Sequence, residues 1–357
     1  MSDNRKEAEE KMAKAIFISG DCWLCVFDLL PPSQLGLGIA LISHRFDFYV
    51  DEHFKTRKWT LKHIQIGSKI GKNGTNEMEI VNSDWKSMPI PQNPLPKKIV
   101  GFERIDILFI DRNAIAFFHH FRPIFPINLA IRSIMNNKRN MELILRNIWP
   151  ILGKNIYGME LSAFIFHRLR KFVPSFLNDC PSPRFVSFNH GGLFTKFPAD
   201  DSAMASDGQA LAKWLLTPHS TNLPKVLKCM VDRDDPNLAS KIEAFKAAFA
   251  NSSSPTNFII SVWFPRPFAD SVVPFDLTNE LTREQLAFKR TNISLHFLLI
   301  RCPIAREASK WTKWEEEAIG WRIDDQWNFI KIHVDADNDI GDGLLNAMIG
   351  PSDQQQK

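Results

Sequence analysis

The side chains that could do chemistry lie in a few places, and each place lacks a part its chemistry would need. Cys22-Trp-Leu-Cys25 has dithiol redox spacing. A redox pair of that kind follows a strand at a helix N-terminus in a βαβ setting, whereas this pair falls inside an amphipathic helical pattern. With no second cysteine pair nearby it also lacks the four ligands of a structural zinc site. His119 and His120 are adjacent; adjacent helical positions point about 100° apart, which does not suit chelation of one ion. Asp335-Ala-Asp-Asn-Asp339 opens like a calcium loop, but Ile340 stands where the turn glycine belongs and Asn346 where the bidentate glutamate belongs. An acidic turn is expected there. Phe188-Asn-His-Gly-Gly-Leu193 is glycine-rich without a phosphate loop's lysine or spacing, and no Gly-x-Ser-x-Gly elbow occurs. The sequence thus predicts no catalytic residue, no metal and no cofactor.

The elements carrying Cys22 and Cys25 open a run of three short helical patterns from Asp21 to Leu61. Trp23, Val26, Phe27 and Leu30 stand at i, i+3, i+4 and i+7, one apolar stripe on a first helix. Pro31-Pro32 ends it. Ser33 can cap a second helix carrying Leu35, Ile39 and Ile42, with Gly36 and Gly38 lowering its intrinsic propensity. Ser43 can cap a third, striped by Phe46, Val50 and Phe54 and flanked by Tyr49, ahead of Lys55-Thr-Arg-Lys-Trp-Thr-Leu61. Three helices of a larger core would give the same patterns. A three-helix DNA-binding unit would put basic and amide side chains on its recognition helix, whereas the third pattern carries Asp47, Asp51 and Glu52, which phosphates repel.

Trp23-Leu24, Phe27-Asp28-Leu29-Leu30-Pro31-Pro32, Gln34-Leu35, Ala40-Leu41-Ile42-Ser43-His44-Arg45-Phe46 and Trp59 resemble the F-box in order and spacing, with Ile18-Ser19-Gly20 in place of the Leu-Pro that usually opens it. Further on, Gln209-Ala-Leu-Ala-Lys-Trp-Leu215, Phe249-Ala-Asn-Ser252, Asn257-Phe-Ile-Ile260, Arg301-Cys-Pro-Ile304, Lys313-Trp-Glu-Glu-Glu-Ala318 and Ile340-Gly-Asp-Gly343 look like the C-terminal region of a large, lineage-expanded group of F-box proteins. The resemblance implies a substrate-recognition subunit of a Skp-cullin-F-box type ubiquitin ligase. It implies a Skp-type adaptor as partner, a cullin-RING ligase reached through that adaptor, an unnamed target protein, and transfer chemistry left to other subunits. The alternative is an adaptor-bound scaffold or sequestering protein without a degradative role. Adaptor contacts are expected from Trp23, Val26, Phe27, Leu30, Pro31, Leu35, Ile39 and Ile42, with Phe27 and Pro31 on the outer face.

At 357 residues the chain exceeds the roughly 100 to 200 usual for one domain, so more than one folding unit is expected. A net charge of +4 with both signs interspersed calls for neither a nucleic acid nor a membrane surface. Met1 to Glu10 is charged where a secretory signal would be apolar, and no run of eighteen apolar residues occurs. Five scattered cysteines suit reduced thiols. These features predict a cytoplasmic or nuclear protein.

The expected organisation is a charged tail over 1–20, the F-box over 21–66, a Pro/Gly-rich connection over 67–98 with limited regular structure, an α/β recognition domain over 99–345, and a disordered tail over 346–357. Strand patterns at 104–110, 127–131, 156–161, 184–188, 226–231 and 258–263 alternate with helical patterns at 112–121, 207–216 and 239–250, and with one carrying Phe164, Leu169 and Phe172. This mixed α/β alternation predicts parallel strands joined by right-handed crossovers, in an irregular solenoid of leucine-rich-repeat type. Closely spaced strand patterns at 274–277, 285–290 and 296–301 predict an antiparallel cap, followed by a tryptophan-rich helix over 307–321 and a last strand over 328–334. Strands apolar on both faces, such as Phe258, Ile260 and Val262 against Ile259 and Trp263, leave one face for helices; the other is expected to meet the target.

Overall fold

The structure is a computed structural model that describes residues 18–30, 32–55, 59–70, 76–82, 87–88, 99–121, 127–131, 142–174, 176–180, 183–190, 193–232, 235, 237–266, 268–333 and 340–341. Pro31, the acidic run Asp335 to Asp339 and both expected tails save residues 18–20 lie outside the described residues.

Three short helices come first: α1 (Gly20–Phe27), α2 (Pro32–Leu37) and, after a 3₁₀ turn at Ile39–Leu41, α3 (His44–Lys55). Pro32 opens α2 instead of closing α1, because a proline in a first turn gives up an N–H that has no helical partner anyway. Strand β1 (Trp59–Ile70) follows directly, then β2 (Asn76–Asn82) and β3 (Ser87–Met88), so the sheet begins inside the stretch assigned to the F-box and continues into the expected connection. Lys62, Gln65 and Ser68 hide a strand in which Leu61, Ile64 and Ile66 are fully buried.

From there strands and helices alternate: β4 (Ile99–Ile107), α4 (Arg112–Phe121), β5 (Ile127–Ile131), a π-helical turn at Ile144–Ile148 running into α5 (Trp149–Leu152), β6 (Ile156–Ser162), α6 (Ala163–Phe172), α7 (Phe176–Asp179), β7 (Phe185–His190), α8 (Asp207–Leu216), β8 (Lys225–Met230), α9 (Leu238–Ala250) and β9 (Phe258–Trp263). After α10 (Phe268–Ser271) come β10 (Phe275–Asn279), β11 (Glu284–Arg290), β12 (His296–Pro303), α11 (Ala308–Gly320) and β13 (Phe329–Ile332).

Among the described residues these strands make one thirteen-stranded sheet, ordered β10-β11-β12-β9-β8-β7-β6-β5-β13-β4-β1-β2-β3. Strands β4 to β9 lie side by side in sequence order, all parallel, with β13 inserted in parallel between β4 and β5. Both ends are antiparallel: β1 with β2 and β3 at one, and β9 with β12, β11 and β10 at the other. The architecture is therefore mixed α/β, with a mostly parallel sheet.

Right-handed crossovers that always step in the same direction put their helices on one face. That face holds the main core, where Phe117 and Phe118 of α4, Phe166 and Leu169 of α6, Leu211 and Trp214 of α8, and Phe245 and Phe249 of α9 meet Ile105, Ile107, Leu129, Met159, Val186, Leu227, Phe258 and Ile260 of the strands.

The opposite face, expected to meet a target, is covered over its centre by the chain itself. Helix α11 lays Trp311, Ala318 and Trp321 against Ala130, Phe185, Val226, Ile259, Leu298 and Ile300. Each tryptophan takes about 150–250 Å² from water, about 4–6 kcal/mol of transfer free energy before entropy is counted. Gly158 makes room for one of them: a Cβ there would sit 2.7 Å from the Trp321 ring, which stacks on Phe185 at 5.0 Å and 6°. Polar contacts fix the helix. Arg184 holds Glu317 in a two-point ion pair at 3.0 and 2.6 Å, and Lys228 Nζ donates to the carbonyls of Ile319 and Trp321 at 2.8 and 2.6 Å, where the helix ends.

Candidate docking surface

In the three-helix unit, Ser19 caps α1 by accepting from the Cys22 N–H at 3.4 Å, and Ser43 Oγ accepts from the Phe46 N–H at 3.4 Å in the first turn of α3. The helices close on a small core of Phe27, Leu35, Ala40, Val50 and Phe54, with Trp23, Leu24, Leu30, Ile39, Phe46 and Tyr49 packed around it. Trp23 meets the edge of Phe46 at 4.9 Å, and Phe27 meets His53 at 5.8 Å.

This packing divides the residues expected to touch an adaptor. Phe27 and Leu35 are fully buried, so the assignment of Phe27 to the outer face is corrected: its ring is the centre of the unit's own core. Trp23, Leu30 and Ile39 are half-buried around it. Among the described residues of the expected set, Val26 and Ile42 are open, at 42% and 62% exposure. Beside Val26 lie Leu29, 84% exposed, and the exposed thiols of Cys22 and Cys25. Residues 22, 25, 26 and 29 are again spaced i, i+3, i+4 and i+7; the first three form a second, outward stripe on α1, and Leu29 follows in the turn after the helix. That spacing is in the sequence, but periodicity alone does not say which of two neighbouring stripes the core takes.

Elsewhere the structure brings together a nucleophile and a base that the sequence keeps far apart. Ser261 Oγ lies 2.8 Å from His296 Nε2, and Thr291 Oγ1 lies 3.0 Å from His296 Nδ1. Both Ser261 and His296 are buried between β9 and β12, so no substrate carbonyl can approach the serine oxygen, and the pair acts as a satisfied core contact. Burial, reinforced by the Lys228 cation, holds the His296 pKa down at about 4, against 6.5 ordinarily. The unfolded chain then takes up a proton near pH 6.5 that the folded chain refuses until about pH 4. As pH falls through that window the residue withdraws about 1.4 kcal/mol of stability per unit, and below it nothing more. Urea midpoints for wild type and His296→Gln at pH 7, 6 and 5 should therefore converge; a constant gap would rule out this role. Among the described residues no group of three or more His, Cys, Asp or Glu could hold a metal ion, His119 is exposed, and no helix is long and apolar enough to cross a membrane.

Comparison with protein-family models, with curated proteins and with solved structures returns no match.

Proposed function

We propose that the chain is a non-catalytic substrate receptor of Skp-cullin-F-box type. The observation that carries it is the outward surface of Cys22, Cys25 and Val26 on a helix whose other side is sealed by Phe27, with the exposed Leu29 in the turn that follows. A small unit that has closed its own core and still shows an apolar stripe has a surface suited to a partner helix. The F-box-like order of residues from Trp23 to Trp59 names that partner as a Skp-type adaptor. On this reading the remaining chain is the target-binding part. Its sequence-ordered parallel strands, with helices crossing on one face, support the comparison with an irregular leucine-rich-repeat-type solenoid, and β10, β11 and β12 with a terminal cap.

Titration of purified Skp-type adaptor against the full chain tests this. Val26→Asp and Leu29→Asp place a charge in the outward stripe without touching the core, and each should weaken binding about thirtyfold or more. Raising salt should matter much less, since the contact is apolar. Amide exchange in His44–Lys55 should stay slow in both variants. Equal affinity of wild type and variants would remove the stripe from the interface, and failure of wild type to bind any Skp-type adaptor would end the receptor reading. Recovery of a cullin with the adaptor separates a ligase receptor from a sequestering scaffold.

A further inference from the structure

The five cysteines divide sharply by burial. Cys180, Cys229 and Cys302 are 2%, 3% and 0% exposed; burial pushes the Cys229 thiol up to about 12 and raises that of Cys302 as well, so neither offers a thiolate to solvent. Cys22 and Cys25 are free and exposed, about one turn apart on α1. Ser19, which caps that helix, accepts from the Cys22 N–H and donates its own hydroxyl to Cys22 Sγ at 3.2 Å, which holds the sulfur in the open first turn. The helix belongs to the three-helix unit and not to the βαβ setting of a dithiol oxidoreductase, so the pair is suited to being modified and not to catalysis.

We propose that Cys22 and Cys25 form a reversible dithiol–disulfide site, oxidised by a small-molecule disulfide of the glutathione class, and that the bridge closes the adaptor surface; the second part rests on the receptor reading above. One cysteine thiolate attacks a sulfur of the oxidant, forming a mixed disulfide and expelling one oxidant thiolate. The other cysteine then attacks the sulfur of the first, and the second oxidant thiolate leaves. The pair gives up two electrons and two protons, and the oxidant takes up both as two thiols, so the exchange balances. Geometry permits the bridge under strain. Residues i and i+3 of a helix have Cα atoms about 5 Å apart, inside the range of about 4.4–6.8 Å that a disulfide spans. Their Cβ atoms stand about 5–6 Å apart where a disulfide needs about 3.5–4.5 Å, so closure must pull this turn inward. An eight-residue helix capped by one serine yields there more easily than a long one. A bridge strained in this way is readily reduced, which makes the site reversible. Val26 follows Cys25 on the same outward surface, so the distortion moves the apolar contact expected to meet the adaptor.

The experiment treats the full chain with oxidised glutathione, quenches with N-ethylmaleimide in denaturant, and maps the digest by mass spectrometry. The peptide holding Cys22 and Cys25 should be lighter by the two thiol hydrogens and carry no maleimide, while Cys180, Cys229 and Cys302 are recovered as alkylated thiols. Dithiothreitol added before the quench should restore both thiols. Cys22→Ser and Cys25→Ser should each stop at the mixed disulfide, with one glutathione retained. Adaptor affinity, titrated on the same preparations, should fall about tenfold in the bridged chain and return with dithiothreitol. Adaptor in excess should slow bridging, because coupling between two sites is reciprocal. Absence of the Cys22–Cys25 bridge, or equal oxidation of the buried cysteines, overturns the proposal and leaves the receptor reading in place. A bridge that forms without changing adaptor affinity overturns the control of docking. A bridge that forms in a chain whose reduced state binds no Skp-type adaptor supports the dithiol site and ends the receptor reading.

Discussion

Phe27→Ala is expected to melt the three-helix unit while the sheet stays folded. The ring is fully buried among Leu35, Ala40, Val50 and Phe54. Truncating a buried phenylalanine costs about 3–5 kcal/mol in lost transfer energy and cavity. A unit of this size buries too little apolar surface to absorb that. Hydrogen exchange reads the result by region: amides of His44–Lys55 should lose protection in Phe27→Ala, and those of His296–Pro303 should keep it. Adaptor binding should fall in this variant as well, but through unfolding, which sets it apart from Val26→Asp and Leu29→Asp. If protection in His44–Lys55 survived Phe27→Ala, the ring would not be the keystone of that core.

The second large effect lies at the antiparallel end of the sheet. Arg301 on β12 and Glu284 on β11 form an ion pair at 2.6 Å with side chains 2% and 1% exposed. Both ends are further satisfied: Glu284 Oε1 accepts from the Thr256 N–H at 2.7 Å, and Arg301 donates to Ser252 Oγ and the Ser254 carbonyl, both at 2.9 Å. The pair thereby ties the segment after α9 to the sheet. Removing one partner leaves the other charge buried without its counterion, which costs about 3–5 kcal/mol. Arg301→Met should therefore lower stability to urea by about that amount, and Glu284→Leu by a similar one. The double variant should recover most of the loss, because it removes both desolvated charges together. A single variant losing less than about 1 kcal/mol would mean that water reaches the site and screens it.

Local patterns spelled out the elements. The apolar run of Phe258 to Trp263 and the period of Arg112 to Phe121 set strand and helix to the residue, and the short spacing of the last hairpins announced the antiparallel strands. In β1 the polar Lys62, Gln65 and Ser68 and the glycine at 67 hid the strand. Its stability comes from pairing with β4 on one side and β2 on the other, which no local pattern encodes.

What the sequence by itself determined is which residues share a stripe, since the helical and strand periods are fixed by backbone geometry. It determined both stripes of α1 in this sense. Only the tertiary structure decided which stripe faces in. Burial depends on what the rest of the chain brings against a surface: Val50 and Phe54 of α3 close on Phe27 and leave Val26 and Leu29 open. Helix α11, arriving some fifty residues after β9, closes the strand face that two-sided apolar strands leave uncovered. It also decided that Ser261 and His296 meet, and that they meet where no substrate can reach them, because β9 pairs with β12 in a register that places both beneath the surface.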